Sequence, residues 1–80
     1  MISAKEIVEV VTQSIELDKP GAISTRESFQ ENGIDSLDVY TIFLSIEEKY
    51  QVKFSEEEVN KIKSIDEITS SLNKKMENKT

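Results

Sequence analysis

The feature that most constrains the fold of this 80-residue chain is a serine helix-start signal that stands ahead of three predicted helices. Ser3, Ser55 and Ser64 each stand three residues before a glutamate, in the S-x-x-E pattern in which a serine caps the first turn of a helix. Apolar residues follow the first and third signals at helical spacing: Ala4, Val8, Val11 and Ile15, then Ile65, Ile68, Leu72 and Met76. Only Val59 and Ile62 follow the second signal before the third begins, so that helix is predicted to be short.

A further helix, the second in chain order, is predicted from Asp35 to about Tyr50. The first helix is predicted to end near Leu17, because Pro20 and Gly21 follow it as successive helix breakers. The pattern therefore predicts three longer helices and one short helix.

A long connection joins the first two helices, with Ile23 and Phe29 as its expected apolar anchors. Loops of this length in a small domain are often functional. The chain contains no internal repeat and no low-complexity tract. The predicted fold is therefore all-α: a small antiparallel four-helix bundle, formed by a single domain over residues 1–80.

The composition excludes most catalytic classes. The chain has no His and no Cys, so it lacks the commonest general base and metal ligand and has no thiolate nucleophile, and we expect no metal site. Its net charge of −6 argues against nucleic acid and anionic membranes and favours protein partners with basic surfaces. No apolar run approaches the roughly 18 residues of a membrane span, and no secretory signal follows Met1, so we expect a cytoplasmic protein.

The second predicted helix carries two apolar stripes rather than one. One stripe is wide enough to face the core and contains Val39, Ile42, Phe43, Ile46 and Tyr50. The second contains Leu37, Tyr40 and Leu44, and polar residues border it: Asp38, Thr41, Glu47 and Glu48. Either this helix is central and buried on two sides, or the second stripe is an exposed docking patch. We favour the docking patch, because the acidic border would be costly to bury without partners.

Ser36 stands where the second helix is predicted to begin. Asp35 is a good N-cap, which makes Ser36 the first helical residue, beside a turn opened by Gly33. The simplest interpretation is a helix start and nothing more. A nucleophilic serine is excluded, because the chain has no His and "GIDSLD" is not a G-x-S-x-G elbow; a calcium loop is excluded by the lack of carboxylates at the required spacing. The remaining functional interpretation is a serine that another enzyme modifies, and a phosphate ester there would be favoured by the helix N-terminus.

Two segments around this serine resemble the acyl carrier protein family. "SFQENGIDSLD" (Ser28 to Asp38) resembles the family's loop and D-S-L signature, and "IEEKYQVKF" (Ile46 to Phe54) resembles the end of its second helix and the segment beyond. The resemblance implies that Ser36 carries 4′-phosphopantetheine through a phosphodiester, with Asp35 and Leu37 on either side. It also implies that a separate phosphopantetheinyl transferase, the holo-acyl carrier protein synthase, installs this group from coenzyme A.

The resemblance further implies what the chain does and which partners it meets. It would be a monomeric carrier without catalytic activity, holding acyl groups as thioesters for fatty acid, polyketide or related biosynthesis. Its partners would be acyl-transferring and condensing enzymes with basic docking patches. The second helix of the family is the surface that such partners recognise, and its docking positions correspond here to Asp35, Leu37, Asp38, Tyr40, Thr41, Leu44, Glu47 and Glu48.

Two alternatives to an acyl carrier stay open. One is a peptidyl or aminoacyl carrier, although Ile34 and Asp35 ahead of Ser36 look more like the acyl branch. The other is an unmodified acidic helical adaptor that uses the same patch. Within the acyl branch, Tyr40 and Thr41 differ from the residues usual in fatty acid synthesis, and these differences bear on which partners the chain meets.

Overall fold

The structure, a computed structural model, describes residues 1–16, 21 and 23–78. These residues form four helices and no strand: α1 (Ala4–Ser14), α2 (Ser36–Tyr50), α3 (Glu56–Lys61) and α4 (Ile65–Glu77). The predicted all-α fold with a short third helix is confirmed. No helix in the described ranges is both long and apolar enough to cross a bilayer.

The predicted helix starts are correct because each rests on a local cap. The side chains of Ser3, Asp35, Ser55 and Ser64 each accept a hydrogen bond from the backbone N–H three residues on. At Ser55 the reciprocal bond also forms, so α3 begins with a complete capping box. These caps satisfy N–H groups that have no acceptor within the helix.

The predicted end of α1 is wrong, because the helix stops at Ser14 and not near Leu17. Ile15, at the C-cap, is extended with φ −137° and ψ 160°, a conformation that suits a β-branched residue. Its side chain packs against the core, so the chain leaves the helix while keeping an apolar contact. Leu17 and Pro20 lie outside the described residues.

The core forms where α1 packs against both α2 and α4. The buried residues of α1 are Ile7, Val10 and Val11, whereas the predicted stripe members Val8 and Ile15 are only partly buried. The apolar face of α1 is wider than one stripe because the helix contacts two neighbours. The other buried apolar side chains among the described residues are Phe29, Ile34, Ile42, Phe43, Ile46, Val52, Phe54, Ile62, Ile65, Ile68 and Leu72.

The long loop between α1 and α2 is tied to the junction of α3 and α4. Phe29 donates its backbone N–H to the carbonyl of Lys63 at 2.8 Å, and Asp66 donates to the carbonyl of Thr25 at 2.9 Å. Phe29 is buried as predicted, while Ile23 is only partly buried. These bonds hold the loop in place ahead of α2.

The short helix α3 is held by an ion pair of its own and by a ring contact in the segment just before it. The carboxylate of Glu58 bonds the ammonium of Lys75 on α4, with an Oε2–Nζ distance of 2.8 Å. Just before α3, the ring of Phe54 packs edge-on against Phe43, with centroids 5.1 Å apart. These contacts tie α3 to α4 and tie the segment just before α3 to α2.

Candidate functional site

Ser36 is exposed at the first position of α2. The Oδ1 atom of Asp35 accepts a hydrogen bond from the backbone N–H of Asp38 at 2.9 Å, so the Asp35 side chain caps the start of α2. The Ser36 hydroxyl forms no hydrogen bond within the described part of the chain. The hydroxyl is therefore available for reaction with an external group.

The turn ahead of α2 fixes the position of Ser36. Gly33 has φ 77°, a left-handed conformation that other residues rarely adopt. Ile34 follows with only 3% of its surface exposed, and its N–H donates to the carbonyl of Phe29 at 2.9 Å. A buried side chain on one side and a helix cap on the other thus leave Ser36 little freedom to move.

Backbone groups near Ser36 favour an anion. The N–H groups of Ser36 and Leu37 lie in the first turn of α2, where they have no intrahelical acceptor, and they point toward the positive end of the helix dipole. Asp38 contributes a negative charge in the same turn, as is common at helix starts. An ester of phosphate on the Ser36 oxygen would thus meet favourable backbone dipoles. Among the described residues, no group of three or more acidic side chains is placed to hold a metal ion.

A cavity of about 430 Å³ opens beside Ser36, between the loop, α2 and α3. Its size falls within the range of roughly 300–1,000 Å³ that is typical of small-molecule sites. The lining is mixed, with apolar residues from all three segments and polar side chains that include Gln30, Asn60 and Lys63. The apolar lining residues are Phe29, Ile34, Val39, Tyr40, Val59 and Ile62. An exposed hydroxyl next to this cavity fits a covalent arm that carries a small group.

The second apolar stripe of α2 is exposed. Leu37, Tyr40 and Leu44 are 80%, 60% and 49% exposed. The interpretation of α2 as a helix buried on two sides is therefore wrong, because α3 leaves this stripe uncovered. We call these three residues the α2 patch.

The polar residues that border the α2 patch differ in their surroundings. Glu48 and Thr41 are exposed, and the Thr41 hydroxyl donates to the carbonyl of Leu37 at 3.1 Å. Asp38 and Glu47 are half-buried. Glu47 has a structural partner that the sequence did not indicate, because its Oε2 accepts the backbone N–H of Phe54 at 2.7 Å. Its burial is thus compensated by a hydrogen bond.

Sequence reasoning missed the contribution of α3 to the cavity. Val59 and Asn60 lie on α3, and Ile62 and Lys63 follow it directly. No local pattern links them to Ser36, since only the folded chain brings them to the same cavity. The segment "SFQENGIDSLD" contained Ile34, whose burial just ahead of the site was also missed.

Comparisons with known proteins show which family this chain resembles. Residues 5–72 match the family described as "Phosphopantetheine attachment site". The acyl carrier protein of Campylobacter concisus is 26% identical over 70 residues, which cover 88% of this chain and 91% of that protein. The acyl carrier protein of Bdellovibrio bacteriovorus is 25% identical over 71 residues, covering 88% of this chain and 90% of that protein. The family match includes Ser36, the α2 patch and the cavity.

Proposed function

Because the chain belongs to the acyl carrier protein family, whose members hold covalent 4′-phosphopantetheine and do not catalyse reactions, we propose that Ser36 is its attachment residue. The observation that carries this proposal is the exposed Ser36 hydroxyl at the capped start of α2, beside the cavity. Asp35 and Leu37 flank the attachment point, Asp35 by capping the helix and Leu37 by offering an exposed apolar contact.

Attachment is proposed to proceed on a separate transferase. The Ser36 oxygen would attack the phosphorus of coenzyme A that bears the pantetheine arm, forming a phosphoester bond as the pyrophosphate linkage breaks. Adenosine bisphosphate leaves, and the hydroxyl proton passes to a base on the transferase, since this chain contains no His. The first-turn N–H groups and the dipole of α2 would stabilise the resulting phosphodiester.

The proposed role is to carry acyl groups between biosynthetic enzymes, in fatty acid, polyketide or related pathways. When bound, the arm supplies a terminal thiol that forms thioesters, which explains how a chain without Cys can serve this role. The proposed carrier unit is a single domain over residues 1–80 that acts as a monomer in the cytoplasm.

The α2 patch with its acidic border is the proposed surface for partner enzymes. It combines three exposed apolar side chains with the carboxylates of Asp38 and Glu48, on a chain with net charge −6. A partner with a basic rim around an apolar hollow would complement it. Charge complementarity of this kind speeds association and weakens as salt concentration rises.

Intact mass spectrometry tests the attachment proposal. The purified chain is incubated with coenzyme A and a broad-specificity phosphopantetheinyl transferase, alongside Ser36→Ala and the control Ser70→Ala, in which an exposed serine of α4 is removed. A single phosphopantetheine-sized increase in the wild type and in Ser70→Ala, absent from Ser36→Ala, is expected. An unmodified wild-type chain, with a known carrier modified in parallel, would favour an acidic adaptor instead.

A further inference from the structure

The cavity beside Ser36 has a neighbour in the cleft between α2 and α3. This second cavity has a volume of about 490 Å³, and Phe43, Leu44 and Phe54 are among its apolar lining residues. The two cavities have three lining residues in common: Tyr40, Val59 and Asn60. We call the first cavity the Ser36 compartment and the second the distal compartment.

The three shared residues border both compartments, and we call them the partition. Tyr40 comes from α2, whereas Val59 and Asn60 come from α3, so both helices contribute to the partition. Tyr40 is its largest member, and 60% of its surface is exposed, so the ring lies at the surface of the cleft and not in the core. Replacing Tyr40 should therefore open the partition without opening the core.

We propose that Tyr40 is a specificity-determining residue that limits the length of the acyl group sheltered by this carrier. The proposal rests on attachment at Ser36. With Tyr40 in place, an acyl group held near Ser36 has access to the Ser36 compartment, and the partition closes the way to the distal compartment. Short acyl groups are then covered by protein, while the end of a long chain stays in water.

Because the acyl group is tethered at Ser36, even weak contacts between it and the cavity can be populated. A group on a flexible arm at Ser36 experiences an effective concentration in the millimolar range near the cavity. Each methylene group that is removed from water favours the folded form by about fourfold, as follows from the transfer free energy of a buried methylene. A longer acyl group should therefore lower the unfolding equilibrium constant, until its added methylene groups no longer fit in the cavity.

Both compartments have mixed linings. The Ser36 compartment includes the polar residues Gln30 and Lys63, which suit the polar arm, beside its apolar residues. The distal compartment is lined by Glu47 and Glu56 and by the buried ring pair of Phe43 and Phe54, a surface that suits the apolar end of a longer chain. Tyr40 borders both compartments, so it is placed to decide whether a chain that enters the first reaches the second.

The test measures urea unfolding of the chain loaded with a series of acyl groups from acetyl to dodecanoyl. The transferase loads each group on Ser36 from the corresponding acyl-coenzyme A, and intact mass verifies loading. In the wild type the unfolding equilibrium constant should fall by about fourfold per methylene for short groups and then level off. In Tyr40→Ala the fall should continue to longer groups, whereas Tyr40→Phe should level off as the wild type does.

The matched control is Leu44→Ala, which removes an apolar side chain from the distal compartment and leaves the partition intact. It should level off at the same length as the wild type. Three results would overturn the proposal: a wild type that never levels off, a Tyr40→Ala variant that levels off at the wild-type length, and a Leu44→Ala variant that behaves as Tyr40→Ala. A chain that gains no mass would instead overturn attachment at Ser36, and the inference with it.

Discussion

The carboxylate of Glu47 on α2 accepts the backbone N–H of Phe54 at 2.7 Å. This hydrogen bond spans the turn after α2, where Gln51 adopts a left-handed conformation with φ 56°. The segment that it holds carries the buried ring of Phe54, which packs against Phe43 of α2. A residue on the border of the proposed docking surface therefore also fixes the segment that leads into α3.

Replacing Glu47 with Ala should destabilise the fold. The substitution leaves the half-buried N–H of Phe54 without its acceptor, and hydrogen bonds to charged groups contribute about 1.5–3 kcal/mol. We expect a loss toward the lower end of that range in urea unfolding. The control is Glu48→Ala, one residue further along α2 and exposed, which should change stability by less than about 0.5 kcal/mol. Equal, small effects of the two substitutions would show that the Glu47 bond does not hold the turn.

The ion pair of Glu58 with Lys75 should make stability depend on acidity. The hydrogen bond from Lys75, followed by that from the Ser55 backbone, lowers the pKa of Glu58 below its ordinary value. A carboxyl whose pKa is lower in the folded state stabilises the fold above its unfolded pKa, and this contribution is lost as pH falls through the folded pKa. Urea unfolding across that acidic range should therefore show a smaller pH dependence in Lys75→Met than in the wild type.

The control for this ion pair is Lys61→Met. Lys61 pairs with Glu57 at 2.9 Å, but both side chains are about three-quarters exposed, at 74% and 76%. Solvent screens such a pair, so its removal should change stability by less than about 0.5 kcal/mol and leave the pH dependence unaltered. If Lys75→Met and Lys61→Met give the same pH profile, the pair between α3 and α4 has no special role.

The α2 patch should tolerate truncation without loss of stability. Leu37 is 80% exposed, so Leu37→Ala should alter the free energy of unfolding by no more than about 0.5 kcal/mol. It should nevertheless raise the KM of the transferase for the chain, since the side chain lies beside Ser36. Met76→Ala removes an exposed apolar side chain from α4 and should leave KM unchanged. A marked loss of stability in Leu37→Ala would argue that Leu37 packs within the fold and does not serve docking.

Ile34 should be the residue of the loop on which the position of Ser36 most depends. It is 3% exposed, and Ile→Ala substitutions in cores typically cost about 2–5 kcal/mol. Ile34→Ala should lose stability within that range and speed hydrogen exchange in the first turn of α2. Ile23→Ala, at a partly buried position of the same loop, should cost less. The reverse order would indicate that the loop is anchored at its other end.

The features of the fold that could be predicted from the sequence are those that depend on residues close together in the chain. The caps at Ser3, Ser55 and Ser64 involve residues three positions apart, so the pattern alone located the starts of three helices. The exposed stripe on α2 could be predicted for a similar reason, because the spacing of Leu37 and Leu44 places them away from the core stripe.

What depends on distant contacts could not be predicted. The buried face of α1 includes Ile7 and Val10 because two helices pack against it, and no periodicity within α1 specifies its neighbours. Val59 and Asn60 line the cavity beside Ser36 although they are far from it in sequence. Their position follows from the bonds that tie the loop to the chain beyond α3, such as that from Phe29 to Lys63.

The most direct test of the central claim is to locate the modification within the chain. Peptides from the chain treated with coenzyme A and transferase would be sequenced by tandem mass spectrometry. We predict that phosphopantetheine lies on Ser36 alone and that neither Ser28 of the loop nor Ser45 of α2 carries it. Phosphopantetheine on another hydroxyl, with Ser36 unmodified, would contradict the assignment of the start of α2 as the attachment site.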